Sequence, residues 1–397
     1  MKKILIVSAL FPPEPVVSAS LSYDIASELS EGNEVTVLCP IPSRPNGMKF
    51  TENVNLNYPF VLRRVKSYIS HKSTMYSRFR ESHSFGLQTA KFINRNYKNI
   101  DLIYMNTWPL LAQLYTVYIA KKHSIPVITH IQDIYPESFT QKLPLVGRIL
   151  NKMLLPIDKF IAKNSRSLIT ISHGMKELLV KSRSLPSYKV LVAFNWQDEN
   201  KFAVNAEQLP EKDELFTFMF LGSINILANI ESVILAFKNA NLKGCRLVIA
   251  GEGPEKNNLM NLVEKNNIDN VLFLSFNSND VGIVQSTSDV LVLSLKQGAS
   301  SLAFPSKIPA YMFSSRPILA YVDIPSDIAN TIKDANCGWV VQSGNMNELL
   351  DCMTKIVSIE KTALRNMGQG GKEYANEHLS RSANLKRIVS IIEKHLN

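Results

Sequence analysis

Two α/β domains, each built on a parallel sheet of Rossmann type, are what this sequence predicts. Three observations carry that expectation. Short apolar runs alternate with amphipathic helical stretches from one end of the chain to the other, the pattern of βαβ units. Residues 197–214 interrupt it with a polar, charged, non-periodic stretch holding Pro210, which reads as a linker. At 397 residues the chain is long enough for each half to bury its own core.

A hydrophobic content of 45% with 20% charged residues fits an ordinary soluble globular protein. No apolar run approaches the ~18–20 residues of a membrane span. Residues 1–8 resemble the start of a signal peptide, but Phe11–Glu14 breaks the apolar run and no small-residue cleavage site follows. The segment is therefore expected to be the first strand of a cytoplasmic protein. Cys39, Cys245, Cys337 and Cys352 lie far apart without ligand spacing, which argues against a structural zinc or a disulfide framework.

Charge is unevenly placed. Residues 1–195 carry 25 Lys and Arg against 12 Asp and Glu, whereas the remainder has 19 against 22. Residues 61–98 are densest, with nine basic side chains and one acid, Glu81. Aromatics are interleaved there: Tyr68, Tyr76, Phe79, Phe85, Phe92 and Tyr97. Such a face suits an anionic membrane surface better than nucleic acid. A solvated basic helix with its aromatics in the core is the competing reading.

Taken in order, Lys3–Ser8 reads as a strand, and its loop Ala9–Ser18 holds three prolines. A helix follows with Leu21, Ile25 and Leu29 at helical spacing and Gly32 as its stop. Strands are expected at Glu34–Cys39 and Phe60–Val65, with the turn-rich loop Ile41–Gly47 between them. Beyond the basic segment come a strand at Asp101–Asn106, a helix at Pro109–His123 and a strand at Pro126–Ile131 that runs into Gln132–Ser138. Helical and strand segments continue to Lys189–Ala193. The first domain is thus placed at 1–196.

The second domain, 197–377, is expected to hold strands at Leu215–Leu221, Arg246–Ala250, Val271–Leu274, Val290–Leu293, Ile318–Tyr321 and Gly338–Val341. Glycine turns follow two of them, at Leu221–Asn225 and Ala250–Pro254; neither fits G-x-G-x-x-G, so a dinucleotide fingerprint is not supported. The amphipathic tail, with Leu385, Ile388, Ile391, Ile392 and Leu396 on one stripe, is expected to pack back on the first domain through residues 378–397.

One stretch carries chemistry on spacing alone. After the strand at Val290, the polar residues Lys296–Ser301 stand at a carboxyl edge, where open α/β sheets bind ligands. Pro305, Ser306 and Lys307 then read as a helix start, with Ser306 able to cap and Pro317 ending the helix. A hydroxyl, an ammonium and free amides together suit a phosphate.

Several further motifs occur in a fixed order: Phe11–Glu14, Glu34–Val37, Gln132–Ser138, Ile171–Met175, Phe194–Asn195 with Asp198 and Phe202, Ala250–Pro254, and Pro305–Lys307 with Tyr311 and Arg316–Pro317. Together they resemble the family-four retaining glycosyltransferases, especially the branch similar to the fucosamine transferases of bacterial O-antigen and capsule assembly. The resemblance covers almost the whole chain. It implies the GT-B fold, two Rossmann-like domains facing a cleft, and a nucleotide-diphosphate sugar as donor, a UDP-sugar first of all. The donor site would then use Gly222, Ser223, Asn225, Gly251, Gly253, Ser306 and Lys307. Lys307 would stabilise the leaving diphosphate. The acceptor side would use Glu14, Ser18 and Glu137, with Asp133 and His130 as catalytic-region residues. Asp133 and Glu137 can equally be read as caps of a turn and a helix. No cofactor and no metal are implied, since no Asp-x-Asp occurs.

Departures from the family pattern are specific. Val16 and Val17 stand where many relatives have a Gly pair. Leu302 and Ala310 fall at the two positions of the family's Glu pair, and Gln132 at that of its histidine, with His130 two residues earlier. The usual Arg and Lys after the first strand of the second domain are replaced within Asn225–Asn229. The leading expectation is a retaining glycosyltransferase of surface polysaccharide synthesis. It would act on a lipid-linked or saccharide acceptor and sit peripherally on the inner face of the cell membrane. A nucleotide-sugar epimerase or hydrolase, and a catalytically silent partner subunit, are the alternatives.

Overall fold

The structure is a computed structural model of the chain. It describes residues 1–44, 50, 57–69, 74–106, 109–140, 146–202, 214–277, 280–300 and 304–396. The chain divides into two compact units, Met1–Ala193 with Leu385–Asn397, and Phe194–Asn384.

Unit 1 runs β1 (Lys3–Val7), α1 (Val17–Leu29), β2 (Glu34–Pro40), β3 (Val61–Val65), α2 (Met75–Asn96), β4 (Leu102–Asn106), α3 (Leu110–Lys122), β5 (Val127–Ile131), α4 (Glu137–Thr140), α5 (Val146–Asn164), β6 (Ser167–Thr170), α6 (His173–Arg183) and β7 (Val190–Val192). Its strands pair in parallel in the order β3-β2-β1-β4-β5-β6-β7. The order reverses between β1 and β4, so their carboxyl ends splay apart and leave a crevice, the usual ligand position of such sheets. One face is covered by α2, α3 and α5, whose Phe85, Ile93, Ala112, Val117 and Ile161 pack on Leu5, Ile103 and Val127. Local capping fixes helix starts: Thr74 accepts from the Ser77 amide (3.3 Å) and Ser172 from the Met175 amide (3.1 Å).

Unit 2 runs β8 (Phe216–Leu221), α7 (Ile230–Ala240), β9 (Cys245–Ala250), α8 (Lys256–Lys265), β10 (Val271–Leu274), α9 (Val281–Ser286), β11 (Val290–Ser294), α10 (Lys307–Phe313), β12 (Ile318–Val322), α11 (Asp327–Asp334), β13 (Gly338–Gln342), α12 (Met346–Val357) and α13 (Lys361–His378). Its sheet is also parallel, in the order β10-β9-β8-β11-β12-β13, so its switch point lies between β8 and β11. The near-continuous apolar strands are those of a sheet covered on both faces. Phe218, Phe220, Leu247, Ile249 and Val292 all lie in one core with α7 and α12. The last helix, α14 (Arg381–Glu393), begins in unit 2, and its residues from Leu385 belong to unit 1. Just past its end, His395 Nε2 lies 2.7 Å from Ser167 Oγ of β6.

Both Rossmann-like sheets agree with the expected fold. The linker expectation is only partly within view. Residues 203–213 lie outside the described ones, and the segment before them is packed rather than extended. Glu199–Phe202 forms a 3-10 turn, and Phe202 is buried with its ring 5.8 Å from that of Phe313. The basic, aromatic segment resolves into two populations. Phe85 is core, and Tyr68 lies under the Arg80 guanidinium (4.1 Å), whereas Tyr76 and Phe79 face solvent. Lys72 lies outside the described residues.

Candidate functional site

In unit 2 the strand β8 stops at Leu221 and the chain turns sharply at Gly222, whose φ is +136°. A Cβ there would lie 2.3 Å from Cε of Lys307 and 2.9 Å from its Nζ. Glycine is therefore what lets the lysine lie against the turn. The same ammonium sits 3.9 Å from the centroid of the Phe220 ring, a cation–π contact. Burial lowers the Lys307 pKa to about 8, and no described carboxylate is paired with it. Tyr311, fully buried one turn later on α10, fixes the lysine's helix to the sheet. Its hydroxyl donates to the Leu221 carbonyl and accepts from the Leu221 amide, both at 2.9 Å.

Gly251 and Gly253 act one layer further back. A Cβ on Gly251 would meet the Gly222 carbonyl oxygen at 2.1 Å, and one on Gly253 the Ile224 oxygen at 2.1 Å. The two turns are laced by Gly222 N–H to Ala250 O and Ile224 N–H to Glu252 O, each 2.9 Å. These glycines let the two turns approach closely and shape the Gly222 loop. Asn225 is likewise engaged: Oδ1 accepts from the Leu227 and Ala228 amides (2.9 and 3.1 Å), and Nδ2 donates to Ser223 Oγ (3.2 Å). The exposed Ser223 hydroxyl remains at the edge.

Ser306 does not cap. It sits in the α conformation at the N-terminus of the seven-residue α10, exposed and bonded to none of the first amides. The capping expectation fails because Ser306 already has helical dihedrals (φ −61°, ψ −10°), and a residue in that conformation aims its hydroxyl away from the following N–H groups. The loop after β11 is held by a residue that sequence reasoning missed. Asp323, just past β12, accepts from the Gly298 amide (3.0 and 2.9 Å), the Ser300 amide (3.2 Å) and the Ser300 hydroxyl. Burial works against its charge, but the Ser300 hydroxyl and the two amides hold its carboxyl below the ordinary range. Ala310, at one position of the family's Glu pair, is buried on α10. Leu302, at the other, lies outside the described residues.

At the switch point of unit 1 a polar cluster spans the two strand ends. Asn106 Nδ2, from the end of β4, donates to Ser8 Oγ (3.3 Å), beyond β1, and to Ser22 Oγ of α1. Ser8 and Ser22 are buried with their hydroxyls 3.0 Å apart, and Asn106 Oδ1 is buried with no partner among the described residues. Asn106 and Ser22 were not singled out from sequence. A polar residue closing an apolar strand was the available signal. Ser18 takes part through its carbonyl, which accepts from Ser22 Oγ at 2.8 Å.

The expected acceptor carboxylates prove to be structural. Glu14 is 6% exposed and accepts from the amides of Phe11 (3.1 Å), Ser43 (2.9 Å) and Arg44 (3.0 Å). It pins its own loop to the one after β2. Glu137 gives both oxygens to Arg183, whose side chain is completely buried and also bonds Asp158 (2.7 Å) and the Tyr135 carbonyl (2.8 Å). With its lone pairs spent on a guanidinium, Glu137 is a clamp on the loop after β5. Its predicted acceptor contact is corrected accordingly.

His130 and Asp133 part company. His130, on β5, is 1% exposed with Nδ1 2.7 Å from the Tyr104 hydroxyl and Nε2 without a partner among the described residues. Burial lowers its pKa to about 4, so it is neutral near pH 7 and walled off by its strand neighbours. This overturns its placement as a substrate-facing catalytic group. Asp133 lies exposed beyond the carboxyl end of β5.

Two Rossmann-like units are what the sheets define, and comparison with known proteins supplies the class. Residues 20–200 match the family model described as Glycosyltransferase Family 4, and residues 201–374 that described as Glycosyl transferases group 1. Together the two models support a family-four glycosyltransferase of GT-B fold. It is 21% identical over 281 residues to the probable glycosyltransferase WbjE of Pseudomonas aeruginosa, covering 67% of this chain and 68% of that protein. Among solved structures it resembles Anabaena Alr3699/HepE in complex with UDP, at 15% identity and a TM-score of 0.73 over 99% of this chain and 100% of that one. A glycosyltransferase from Rickettsia africae gives 13% identity and a TM-score of 0.72, covering 100% and 99%.

Proposed function

We propose that this glycosyltransferase is a retaining enzyme. In this reading it moves an N-acetylhexosamine or deoxyhexose from a UDP-sugar to a lipid-linked or saccharide acceptor during surface polysaccharide synthesis. One observation carries the donor assignment. A buried ammonium with no described counter-ion, Lys307, lies against a Cβ-less turn, Gly222, at the switch point of unit 2. A buried cation kept unpaired is costly, and a diphosphate is the ligand that would repay it. That Alr3699/HepE, of like fold, was crystallised with UDP supports the same ligand class.

In the reaction the anomeric carbon–oxygen bond to the diphosphate breaks as the acceptor oxygen attacks from the same face of the sugar. The hydroxyl proton passes to the departing diphosphate oxygen. Lys307 stabilises the charge that develops on that leaving group, and no protein nucleophile is required. Asp133, exposed at the carboxyl edge of unit 1, is positioned to orient the acceptor hydroxyl. A cytoplasmic protein with its excess of positive charge in residues 1–195 suits peripheral attachment to an anionic membrane.

Thermal shift of the purified protein against UDP, other nucleoside diphosphates and a set of nucleotide sugars tests the reading. UDP should raise the melting temperature, and Lys307→Ala should abolish the shift and slow transfer by roughly 10²–10³-fold. Absence of a shift with every nucleotide sinks the donor assignment. A shift without transfer to any lipid-linked or saccharide acceptor points to a silent partner subunit.

A further inference from the structure

We infer that α5, with the first turns of α2, forms a surface that lies in an anionic lipid bilayer. The inference rests on the proposed membrane-located acceptor and says which face of unit 1 meets the membrane. Val146, Ile149 and Met153 of α5 are 56%, 63% and 65% exposed. At about 100° per residue they fall on one stripe of the helix. Large apolar side chains on a solvated helix are ordinarily single; three in register are not.

Charge decides the occupant. Arg148, Lys152 and Lys163 are exposed and follow one another along the border of that stripe. The single acid of α5, Asp158, is held by Arg183 and adds no exposed negative charge. On α2 the pattern repeats. Tyr76 and Phe79 are 75% and 54% exposed beside the exposed Arg78 and Arg80, and the one acid, Glu81, is buried against Arg44. Both helices pack on α3. An apolar stripe bordered only by cations is the composition of a helix lying in the headgroup region of anionic lipid. A protein partner or a second copy of this chain would need acidic groups that this face does not supply to itself.

Position agrees with the reading. In a parallel sheet each crossover helix begins at the carboxyl edge of the strand before it. The first turns of α2 and α5 therefore stand at the same edge of unit 1 as Ser8, Asn106 and Asp133. No helix among the described residues is long and apolar enough to cross a membrane, so α5 would lie along the surface. A lipid-linked hydroxyl would then be presented where the acceptor residues are.

Co-sedimentation with phosphatidylcholine vesicles, with and without phosphatidylglycerol, tests this on the whole protein. The parent should partition onto anionic vesicles at low salt and much less onto neutral ones. Ile149→Glu with Met153→Glu should lower that partition at least about tenfold. Arg148→Glu with Lys152→Glu should do so mainly at low salt. UDP-induced thermal shift in unit 2 monitors folding and the donor reading separately. Equal binding of parent and Ile149→Glu/Met153→Glu overturns the surface while leaving membrane attachment standing. No binding by the parent overturns both, with the donor reading judged by the shift alone. A dimer that the same substitutions dissolve assigns the stripe to a second copy and overturns the inference.

Discussion

Gly222 and Lys307 occupy one volume: the methyl group that Gly222 lacks would stand 2.3 Å from Lys307 Cε. The lysine stem lies where any other residue's Cβ would be, which brings its ammonium over Phe220 and up to the turn ending β8. Neither residue explains itself alone. A positive-φ glycine is common after a strand, and a lysine at a helix start is common too. Their contact is what makes a place for an anion at the switch point of unit 2.

Gly222→Ala should therefore injure binding before it injures the fold. The added Cβ must displace the lysine stem, and φ of +136° is unfavourable for alanine, at a cost of about 1–3 kcal/mol. UDP affinity by calorimetry is expected to fall tenfold or more, with a moderate loss in chemical denaturation. Gly251→Ala presses instead on the Gly222 carbonyl, which is backbone and cannot swing aside, so its stability loss should be the larger. Unchanged UDP affinity in Gly222→Ala would show that Lys307 does not reach the ligand.

Lys307→Met should stabilise the unliganded protein while removing the ligand. Burial lowers the folded pKa to about 8, below the 10.5 of an unhindered lysine. Between those values the unfolded chain binds more protons, so the penalty of the buried charge is full below pH 8 and fades as pH rises to 10.5. The substitution is expected to add about 2 kcal/mol at pH 7, shrinking toward pH 10. In the parent, UDP affinity should weaken as pH passes about 8, because the ammonium that meets the diphosphate is lost. Urea melts at several pH values and UDP titrations check both halves.

The two sheets were legible because most of their buried parallel strands are short apolar runs that stand out in the chain. Ser167–Thr170 was not singled out, being four residues long and flanked by no Gly or Pro. Lys307 and Gly222 were legible as types at suggestive places, but their contact was not. Nothing local says that the helix after β11 brings its first side chain against the turn after β8. The carboxylates misled for a related reason. Glu14 and Glu137 stand at carboxyl edges as ligand-binding groups do, yet their partners are loop amides and an arginine many residues away. Asp323 and Asn106 escaped notice because their roles exist only once neighbouring strand ends are side by side.

Arg183→Met should be among the most damaging substitutions in unit 1. It leaves Glu137 and Asp158 together without the guanidinium that holds both, and burial already pushes the Asp158 carboxyl up with Arg183 in place. Removing one partner of a buried ion cluster costs about 3–5 kcal/mol. Glu137→Gln, which keeps one acceptor oxygen, should cost clearly less. Denaturation midpoints of the two variants check the order. If Glu137→Gln instead leaves stability intact and abolishes transfer, the glutamate faces the substrate after all.

His130 should shape stability in acid and leave the activity profile alone. Its folded pKa of about 4 lies below the ordinary 6.5, so from pH 6.5 down to 4 the unfolded chain takes up a proton that the folded one refuses. The parent therefore loses stability across that window, by up to about 3 kcal/mol for this group. His130→Gln can still accept from the Tyr104 hydroxyl but cannot titrate, so its stability curve should be flatter between pH 6.5 and 4. Because the ring is sealed and neutral, kcat/KM against pH should keep the parent's shape above pH 6. Loss of a limb near pH 6–7 in the variant would mean that His130 exchanges its proton with substrate or solvent, and its assignment as a packed core residue would fall.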